Sequence, residues 1–397
     1  MLQTALTAPS LTRYREAMPT MSPASCRRDS PFAEDYFEAR ARFRQLVAER
    51  QAALDIVPVT ARGPQGEKLT FEAARFGPAK ARRLLVLSSG LHGAEAFFGS
   101  AVQLHWLARS PLLHRLPNGV GVLLLHALNP YGFAWVRRAN EENVDLNRNF
   151  LLPGEDYTGS PPLYEEIYRA FNPMARPTRH IPPLFFRSLF TVWRHGMHEL
   201  RHNLPVGQFE YPQGLFFGGK GPSETQDLLR ERMPEWIGDA QEILHFDFHT
   251  GLGPWSSQKL LLDQLQPREV DWWAAHFGRE QIEVSDLAVT SYPTRGSFGP
   301  WLKHLFAGRN YHYTAAEYGT YPPLRVMTAL LTEVRAYNHG LSNPRHAWTR
   351  DLLRETFAPA SPVWRRRVVS QAFAVVEQGL SLLRKHEETL IRPDELS

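Results

Sequence analysis

The feature that most constrains the fold is a short buried strand followed by a glycine-containing turn and a helix. Arg83–Ser88 has the composition of a buried strand, and it leads through Gly90 into the helical stretch Gly99–Ala108. A second apolar run, Val120–His126, follows that helix. This order of strand, helix and strand predicts neighbouring strands of one sheet, joined by a helical crossover.

The rest of the chain continues the α/β pattern. Apolar residues recur at helical spacing in Pro31–Arg50, which predicts an amphipathic helix. Further predicted strands are Ala53–Val59, Leu69–Arg75, Ile243–His249, Lys259–Leu262, Ile282–Val284 and Tyr311–Glu317. Further predicted helices are Pro323–Tyr337 and Val363–Leu390.

Composition divides the chain into one large domain and three special segments. Residues 1–30 are polar and contain Pro and Ser, so we expect a disordered N-terminus, with Met18 or Met21 as alternative start positions. Residues 31–397 are predicted to form a single catalytic domain. Within it, 150–240 is rich in Pro, aromatic residues and Arg and is interpreted as an insertion or lid, and 345–397 as a C-terminal helical extension.

Charge and cysteine content exclude several classes of protein. The net charge of +4 is too small to indicate a nucleic-acid partner. The single cysteine, Cys26, rules out an intrachain disulfide framework and a Cys-rich zinc site. No apolar run reaches the roughly 20 residues of a membrane helix, and no signal-peptide pattern is present. We therefore expect a cytoplasmic protein without a membrane partner, and the oligomeric state remains open.

Two histidines and a glutamate are candidate metal ligands. His92 and Glu95 lie three residues apart in the turn after a predicted strand, and zinc accepts both His nitrogen and Glu oxygen. His245, Asp247 and His249 share one face of a later strand, with His249 at its carboxyl end. Ligands of open α/β sheets bind outside that edge, so these side chains are expected to meet there.

The metal interpretation has alternatives at each position. His92 and Glu95 also fit a solvated turn pair, and His249 also fits a core histidine that bonds to the backbone. Asp247 is a candidate for orienting a ligating histidine. Two histidines and a carboxylate form an open zinc site, although iron, cobalt or manganese would also be accepted.

Arginines and a late glutamate complete the candidate site. Arg137, Arg138 and Arg148 follow a predicted strand end, and guanidinium groups pair well with carboxylates, so an anionic substrate group is indicated. The alternative is a solvated, charge-rich loop. Glu317 ends a predicted strand and is a candidate general base, or else a surface glutamate of an edge strand.

The ordered motifs resemble those of the zinc carboxypeptidase superfamily, which includes the succinylglutamate desuccinylase and aspartoacylase branch. They are SSGLHGAEAFFGS, HALNPYGFAWVRRANEENVDLNRNF, FDFHTGLGP and AEYGT. The sequences of these motifs are most similar to those of a bacterial subgroup known only as a domain of unknown function, and the similarity spans about 84–337. The resemblance implies a doubly wound mixed β-sheet flanked by helices, with one catalytic Zn²⁺ per chain.

The resemblance also implies roles for individual residues. His92, Glu95 and His249 match the zinc ligands, and Glu317 matches the general base and acid. The residues that it places around the substrate are Asn147 and Arg148 on the carboxylate, Arg138 or alternatively Arg137 on the scissile carbonyl, and Tyr292 with the neighbouring Arg295.

The expected activity is zinc-dependent hydrolysis of an amide bond in a substrate with a free carboxylate. A carboxypeptidase acting on short peptides is one form, and an N-acyl amino acid deacylase of the aspartoacylase type is the alternative. A non-catalytic binding protein on the same scaffold is a third possibility. If the insertion roofs the cleft, small substrates are favoured, and Gln208, Tyr211 and Phe217 are candidates for its inner face.

Overall fold

The computed structural model describes residues 30–179, 194, 196, 203–262, 267–284 and 294–390. The predicted disordered segment 1–30 lies outside the described residues except for Ser30, and Cys26 and Tyr292 lie outside them as well.

Within the described residues, eight strands form one mixed sheet. They are β1 (Ala53–Arg62), β2 (Lys68–Phe76), β3 (Arg83–Ser89), β4 (Val120–His126), β5 (Glu242–Thr250), β6 (Gln258–Leu262), β7 (Ile282–Val284) and β8 (Asn310–Tyr318). Their order across the sheet is β1-β2-β4-β3-β5-β8-β6-β7. β4, β3, β5 and β8 run parallel, whereas β2 pairs antiparallel with β4 and β6 with β8.

Helices cover both faces of this sheet. In the described residues they are α1 (Tyr36–Glu49), α2 (Ala96–Arg109), α3 (Pro130–Trp135), α4 (Tyr164–Phe171), α5 (Glu224–Ile237), α6 (Pro267–Phe277), α7 (Phe298–Leu305), α8 (Pro323–Asn338), α9 (Ala347–Phe357) and α10 (Pro362–Leu390). α1, α2, α6 and α10 pack against one face, and α5 and α7 against the other. The prediction of a doubly wound mixed sheet is confirmed.

β3 and β4 consist mainly of apolar residues because both of their sides are covered. On β3, Leu85 and Leu87 enter the core under α2 and α10, whereas Leu84 and Val86 enter the core under α5 and α7. Every residue of β3 and β4 is buried. Continuous apolar runs of this kind are typical of parallel strands buried on both faces.

Two predicted segments are more closely joined to the core than their names suggest. The end of the insertion 150–240 forms α5, whose Leu229, Met233 and Ile237 pack on the sheet. The C-terminal extension 345–397 contributes α10, whose Val368 and Val376 lie in the opposite core layer. α5 and α10 therefore each cover part of one face of the sheet and shield it from solvent. None of the helices among the described residues is long and apolar enough to cross a membrane.

Candidate active site

The candidate ligands lie at the carboxyl edge of the parallel strands. The chain leaves β3 for β4 on one side and later returns as β5 on the other side, so a switch of strand order lies between β3 and β5. His92 and Glu95 follow β3, with His92 at the N-cap and Glu95 at the end of the 3₁₀ turn Gly93–Glu95, and His249 lies near the end of β5. A switch point of this kind is the usual ligand site of open α/β sheets.

Gly93 allows the turn that carries His92 and Glu95 to pack closely on α3. A Cβ atom added to Gly93 would lie 1.9 Å from the carbonyl carbon of Gly132 in α3. The amide of Gly93 also donates a hydrogen bond to the carbonyl of Arg138, at 3.3 Å. The turn that carries His92 and Glu95 is therefore fixed against α3 and the chain that follows it.

His92, Glu95 and His249 converge on one point. His92 Nδ1 lies 2.9 Å from Glu95 Oε1, and His249 Nδ1 lies 3.0 Å from Glu95 Oε2. Each residue offers a ligand atom within 4.8 Å of the other two, and all three residues are buried. Two imidazole nitrogens and a carboxylate are a donor set that zinc prefers in open sites.

A carboxylate holds the far nitrogen of each histidine. His92 Nε2 lies 3.0 Å from Asp145 Oδ1, and His249 Nε2 lies 2.7 Å from Asp247 Oδ2. A carboxylate at Nε2 favours a proton on that nitrogen and leaves the lone pair of Nδ1 for a metal. The residues present therefore fit a metal ion held by Nδ1 of both rings and by Glu95. The predicted orienting role fits Asp247, and Asp145 is a second such residue that the sequence did not identify.

A buried hydrogen-bond chain fixes Asp247. Its carboxylate accepts hydrogen bonds from Ser88 Oγ, at 2.6 Å, and from the Tyr313 hydroxyl, at 3.0 Å. Ser88 Oγ also lies 2.7 Å from Nε2 of His245, whose Nδ1 lies 3.0 Å from the Tyr311 hydroxyl. Burial lowers the pKa of His245 to about 4, so this ring is neutral and donates from one nitrogen only.

Replacing Asp247 with asparagine is expected to weaken zinc binding about 10–100-fold, because the amide no longer fixes the protonation and orientation of His249. Competition with a chelator of known affinity measures the change. Asp271→Asn, on the exposed surface of α6, is the matched control and should leave zinc affinity unchanged. Equal affinities for the two variants would show that Asp247 does not act through His249.

Glu317 lies on β8, beside the cluster formed by His92, Glu95 and His249. β5 and β8 pair in parallel with His249 opposite Glu317, so both side chains leave the sheet on the same face. Glu317 Oε1 accepts a hydrogen bond from the amide of Leu252, at 2.8 Å. Burial and then the negative charge of Glu95 raise the pKa of Glu317 to about 8. The structure thus places a buried carboxyl that can exchange a proton next to the candidate ligands.

Arg138 is the predicted arginine that the fold brings to the cluster. It donates from Nη1 to Glu95 Oε1, at 3.1 Å, and from Nε to Asp145 Oδ2, at 2.9 Å. Burial raises the pKa of Asp145, but Arg138, His92 and Arg148 together hold it well below its usual range. The carboxylates of Asp145 and Glu95 therefore hold the Arg138 guanidinium beside Glu95, a candidate metal ligand.

Asn147 and Arg148 lie in the 3₁₀ turn Leu146–Arg148, immediately after Asp145. Asn147 Oδ1 accepts from the first amide of α7, that of Phe298, at 3.0 Å. Arg148 is buried and donates from Nε to the carbonyl of Pro205, at 2.7 Å. The turn thus joins the site to α7 on one side and to the insertion on the other.

The structure does not bring Arg137 to the cluster. Its guanidinium is fully buried, forms an ion pair with Glu333 of α8, and donates to Asn143 Oδ1 at 2.7 Å and to the carbonyl of Asn140 at 2.9 Å. Of the two adjacent arginines, Arg138, the one that the sequence favours for the carbonyl, contacts Glu95. Arg137 instead links the loop that follows α3 to α8.

Removing one partner of this buried pair is expected to be costly. Glu333→Gln should lower the free energy of unfolding by about 3–5 kcal/mol, because it leaves the Arg137 charge buried without its counter-ion. Glu165→Gln in the exposed pair with Arg169 is the control, with an expected loss of about 1 kcal/mol or less. Urea denaturation of both variants measures the difference, and similar losses would contradict the assignment.

Like Arg137, Arg295 makes its contacts away from the candidate metal ligands. It donates to the carbonyls of Asp156 and Thr158, and its guanidinium lies 4.7 Å from the ring centroid of Phe209. These contacts hold the insertion in place. The proposed substrate role of its neighbour Tyr292 falls on a residue outside the described ranges.

The insertion reaches the arginines through a residue that the sequence interpretation did not choose. Phe217 packs in the core with Leu128 and Leu146, and Gln208 donates to the carbonyl of Tyr211 at 2.8 Å. The ring of Phe216, by contrast, has its centroid 5.5 Å from Cζ of Arg138. Two adjacent phenylalanines carry no sequence signal that says which one faces a site.

Solved structures with a similar fold include carboxypeptidase A from Helicoverpa armigera, with 14% identity, a TM-score of 0.44 and coverage of 83% of this chain and 74% of that one. Bovine thrombin-activatable fibrinolysis inhibitor, in complex with tick carboxypeptidase inhibitor, has 12% identity, a TM-score of 0.48 and coverage of 90% and 99%. Murein-tripeptide amidase MpaA from Escherichia coli O157 has 20% identity, a TM-score of 0.33 and coverage of 74% and 95%.

No curated protein matches the chain by sequence. A family model described as "Protein of unknown function (DUF2817)" matches residues 32–371. The match agrees with the predicted resemblance to a domain-of-unknown-function subgroup. Because it covers most of the sequence, the chain belongs to the DUF2817 family.

Proposed function

We propose that the protein is a zinc-dependent hydrolase that cleaves an amide bond in a small substrate with a free carboxylate. One observation carries this proposal: two histidines, each oriented by its own buried carboxylate, converge with Glu95 at a strand switch point. Ligating histidines in metal sites typically have such partners. Glu317 and Arg138 lie beside the same cluster.

His92, Glu95 and His249 are the residues that would hold the ion. Zinc, when bound, acts as a Lewis acid on a carbonyl oxygen and makes water more acidic. The side chain of Glu317 lies on the same face of the sheet and accepts the proton of the attacking water, then delivers it to the leaving amine. Positive charge at the cluster favours the ionised, proton-accepting form of Glu317.

The arginines divide the remaining work. Arg138 stabilises the negative charge that develops on the carbonyl oxygen, since its guanidinium is already fixed beside Glu95. Arg148, with Asn147, binds the free carboxylate of the substrate. A guanidinium offers a carboxylate paired, charge-assisted hydrogen bonds.

Low exposure of the site favours a small substrate. His92, Glu95, His249, Glu317 and Arg148 each expose 6% or less of their surface. A short peptide is therefore a better candidate than the C-terminus of a folded protein. The same observation favours an N-acyl amino acid as the second candidate, because it has the same carboxylate and amide in a smaller molecule.

Metal content and amide hydrolysis test the proposal together. Protein purified without added metal is expected to contain about one zinc per chain. Dipeptides and N-acyl amino acids, assayed side by side, separate a peptidase from a deacylase. A protein that stays free of metal when zinc is offered, or that binds zinc and hydrolyses neither series, would refute the proposed function.

A further inference from the structure

The ring of Phe216 lies near both arginines of the proposed substrate site. The centroid of its ring is 5.5 Å from Cζ of Arg138 and 5.7 Å from Cζ of Arg148. Such distances allow the face of an aromatic ring to attract both guanidinium groups. Phe216 therefore contacts the residue proposed for the carbonyl and the residue proposed for the carboxylate at the same time.

The backbone of the insertion holds this ring in place. Phe216 has a φ of 56°, in the left-handed region that a bulky side chain rarely adopts. Its carbonyl accepts from the amide of Gln208 at 3.1 Å, and the carbonyl of Phe217 accepts from the amide of Asp145 at 2.8 Å. Strained conformations persist where the surroundings over-determine them, and they concentrate at ligand sites.

Phe216 is buried in a hydrophobic cluster that extends to the turn between His92 and Glu95. Phe216 exposes 5% of its surface and packs in a cluster with Ala94, which lies between His92 and Glu95 in the sequence. Leu215 and Tyr164 belong to the same cluster. A larger substrate group could not occupy this space unless a buried ring moved.

The insertion also confines Arg148. Its Nε donates to the carbonyl of Pro205, and a Cβ atom added to Gly207 would lie 2.9 Å from Arg148 Cδ. These contacts fix the Arg148 side chain, so its guanidinium cannot move away from Phe216. The segment 205–216 therefore sets the position of the Arg148 side chain and fills the space beside it.

We propose that Phe216 determines substrate size, so that the residue carrying the free carboxylate must have a small side chain. The proposal rests on the proposed function, since it assumes that a carboxylate binds Arg148. The side chain of that residue extends from the carbon next to the carboxylate, into the space beside Arg148 that the Phe216 ring fills. Glycine or alanine leaves the ring in place, whereas a phenylalanine-sized group requires it to move.

Binding of two ligands to the zinc-loaded protein tests this inference without depending on turnover. The probes are N-acetylglycine and N-acetylphenylalanine, titrated by calorimetry into the wild type, Phe216→Ala and Phe216→Leu. Phe216→Leu keeps an apolar side chain at the buried position. Phe209→Ala is the matched control, because Phe209 is a buried phenylalanine of the same insertion that contacts Arg295 instead.

The wild type is expected to bind N-acetylglycine at least about 10-fold more tightly than N-acetylphenylalanine, and both Phe216 variants should shift this ratio about 10-fold or more towards the larger ligand. Phe209→Ala should keep the wild-type ratio. A wild type that prefers the larger ligand, or a ratio unchanged in both Phe216 variants, overturns the inference alone. Zinc-loaded protein that binds neither ligand overturns the proposed carboxylate substrate, and the inference with it.

Discussion

Glu317→Gln is expected to lower kcat by about 10²–10⁴-fold while zinc content stays at the wild-type level. Glutamine has the shape of glutamate and can still accept the hydrogen bond from the amide of Leu252, so the fold around the cluster should persist. Its amide cannot take a proton from water at neutral pH. Steady-state kinetics on the better amide substrate, with elemental analysis of the same sample, separates the two effects.

The pH dependence gives the same assignment a second test. Burial and the charge of Glu95 raise the pKa of Glu317, and only the ionised carboxylate accepts a proton. Wild-type kcat/KM should therefore fall as the pH is lowered through the pKa of this carboxyl. Glu242→Gln, at the opposite end of β5, is the control and should retain wild-type kinetics. Full activity in Glu317→Gln would remove Glu317 from the mechanism.

The strands and their shared edge were predictable because their signals are local. Arg83–Ser88 and Val120–His126 consist mainly of apolar residues, and both form buried parallel strands of the sheet. The rule that ligands bind at the carboxyl ends of such strands then brings His92, Glu95 and His249 together, as the structure has them. Sequence therefore located the candidate metal centre through two general properties of parallel sheets.

Long-range partners explain what sequence analysis could not resolve. Arg137 and Arg138 are adjacent, yet one binds Glu333 and the other Glu95. Glu333 lies 196 positions along the chain from Arg137, in a helix whose docking no local pattern reveals. Asp145 was missed for a similar reason, since its role appears only when His92 is placed against it.

The insertion shows a different limit, which is the choice of face. Phe216 and Phe217 have the same chemistry, and the left-handed backbone at Phe216 lets the two adjacent rings face different surroundings. Phe217 enters the hydrophobic core, whereas Phe216 contacts Arg138 and Arg148. Only the three-dimensional register of the insertion decides which ring reaches the site. The sequence makes Phe217 a candidate for the inner face of the insertion, whereas the ring beside the arginines is that of Phe216.

Removing either candidate histidine ligand is expected to have the largest effect on the metal. His92→Ala and His249→Ala should each weaken zinc binding by more than the roughly 100-fold upper value for loss of an orienting carboxylate, because a ligand atom itself is lost. Loss of zinc should then abolish the proposed amide hydrolysis. Elemental analysis after dialysis against a weak chelator, followed by the amide assay, measures both consequences.

His126 offers a matched control for this experiment. It is a buried histidine at the end of the neighbouring strand β4, and its Nε2 lies 2.9 Å from Ser100 Oγ rather than near Glu95. His126→Asn should keep zinc at the wild-type level if the cluster alone holds the ion. Zinc lost equally in all three variants would indicate a general loss of structure. Zinc kept in both His92→Ala and His249→Ala would show that the ion is bound elsewhere.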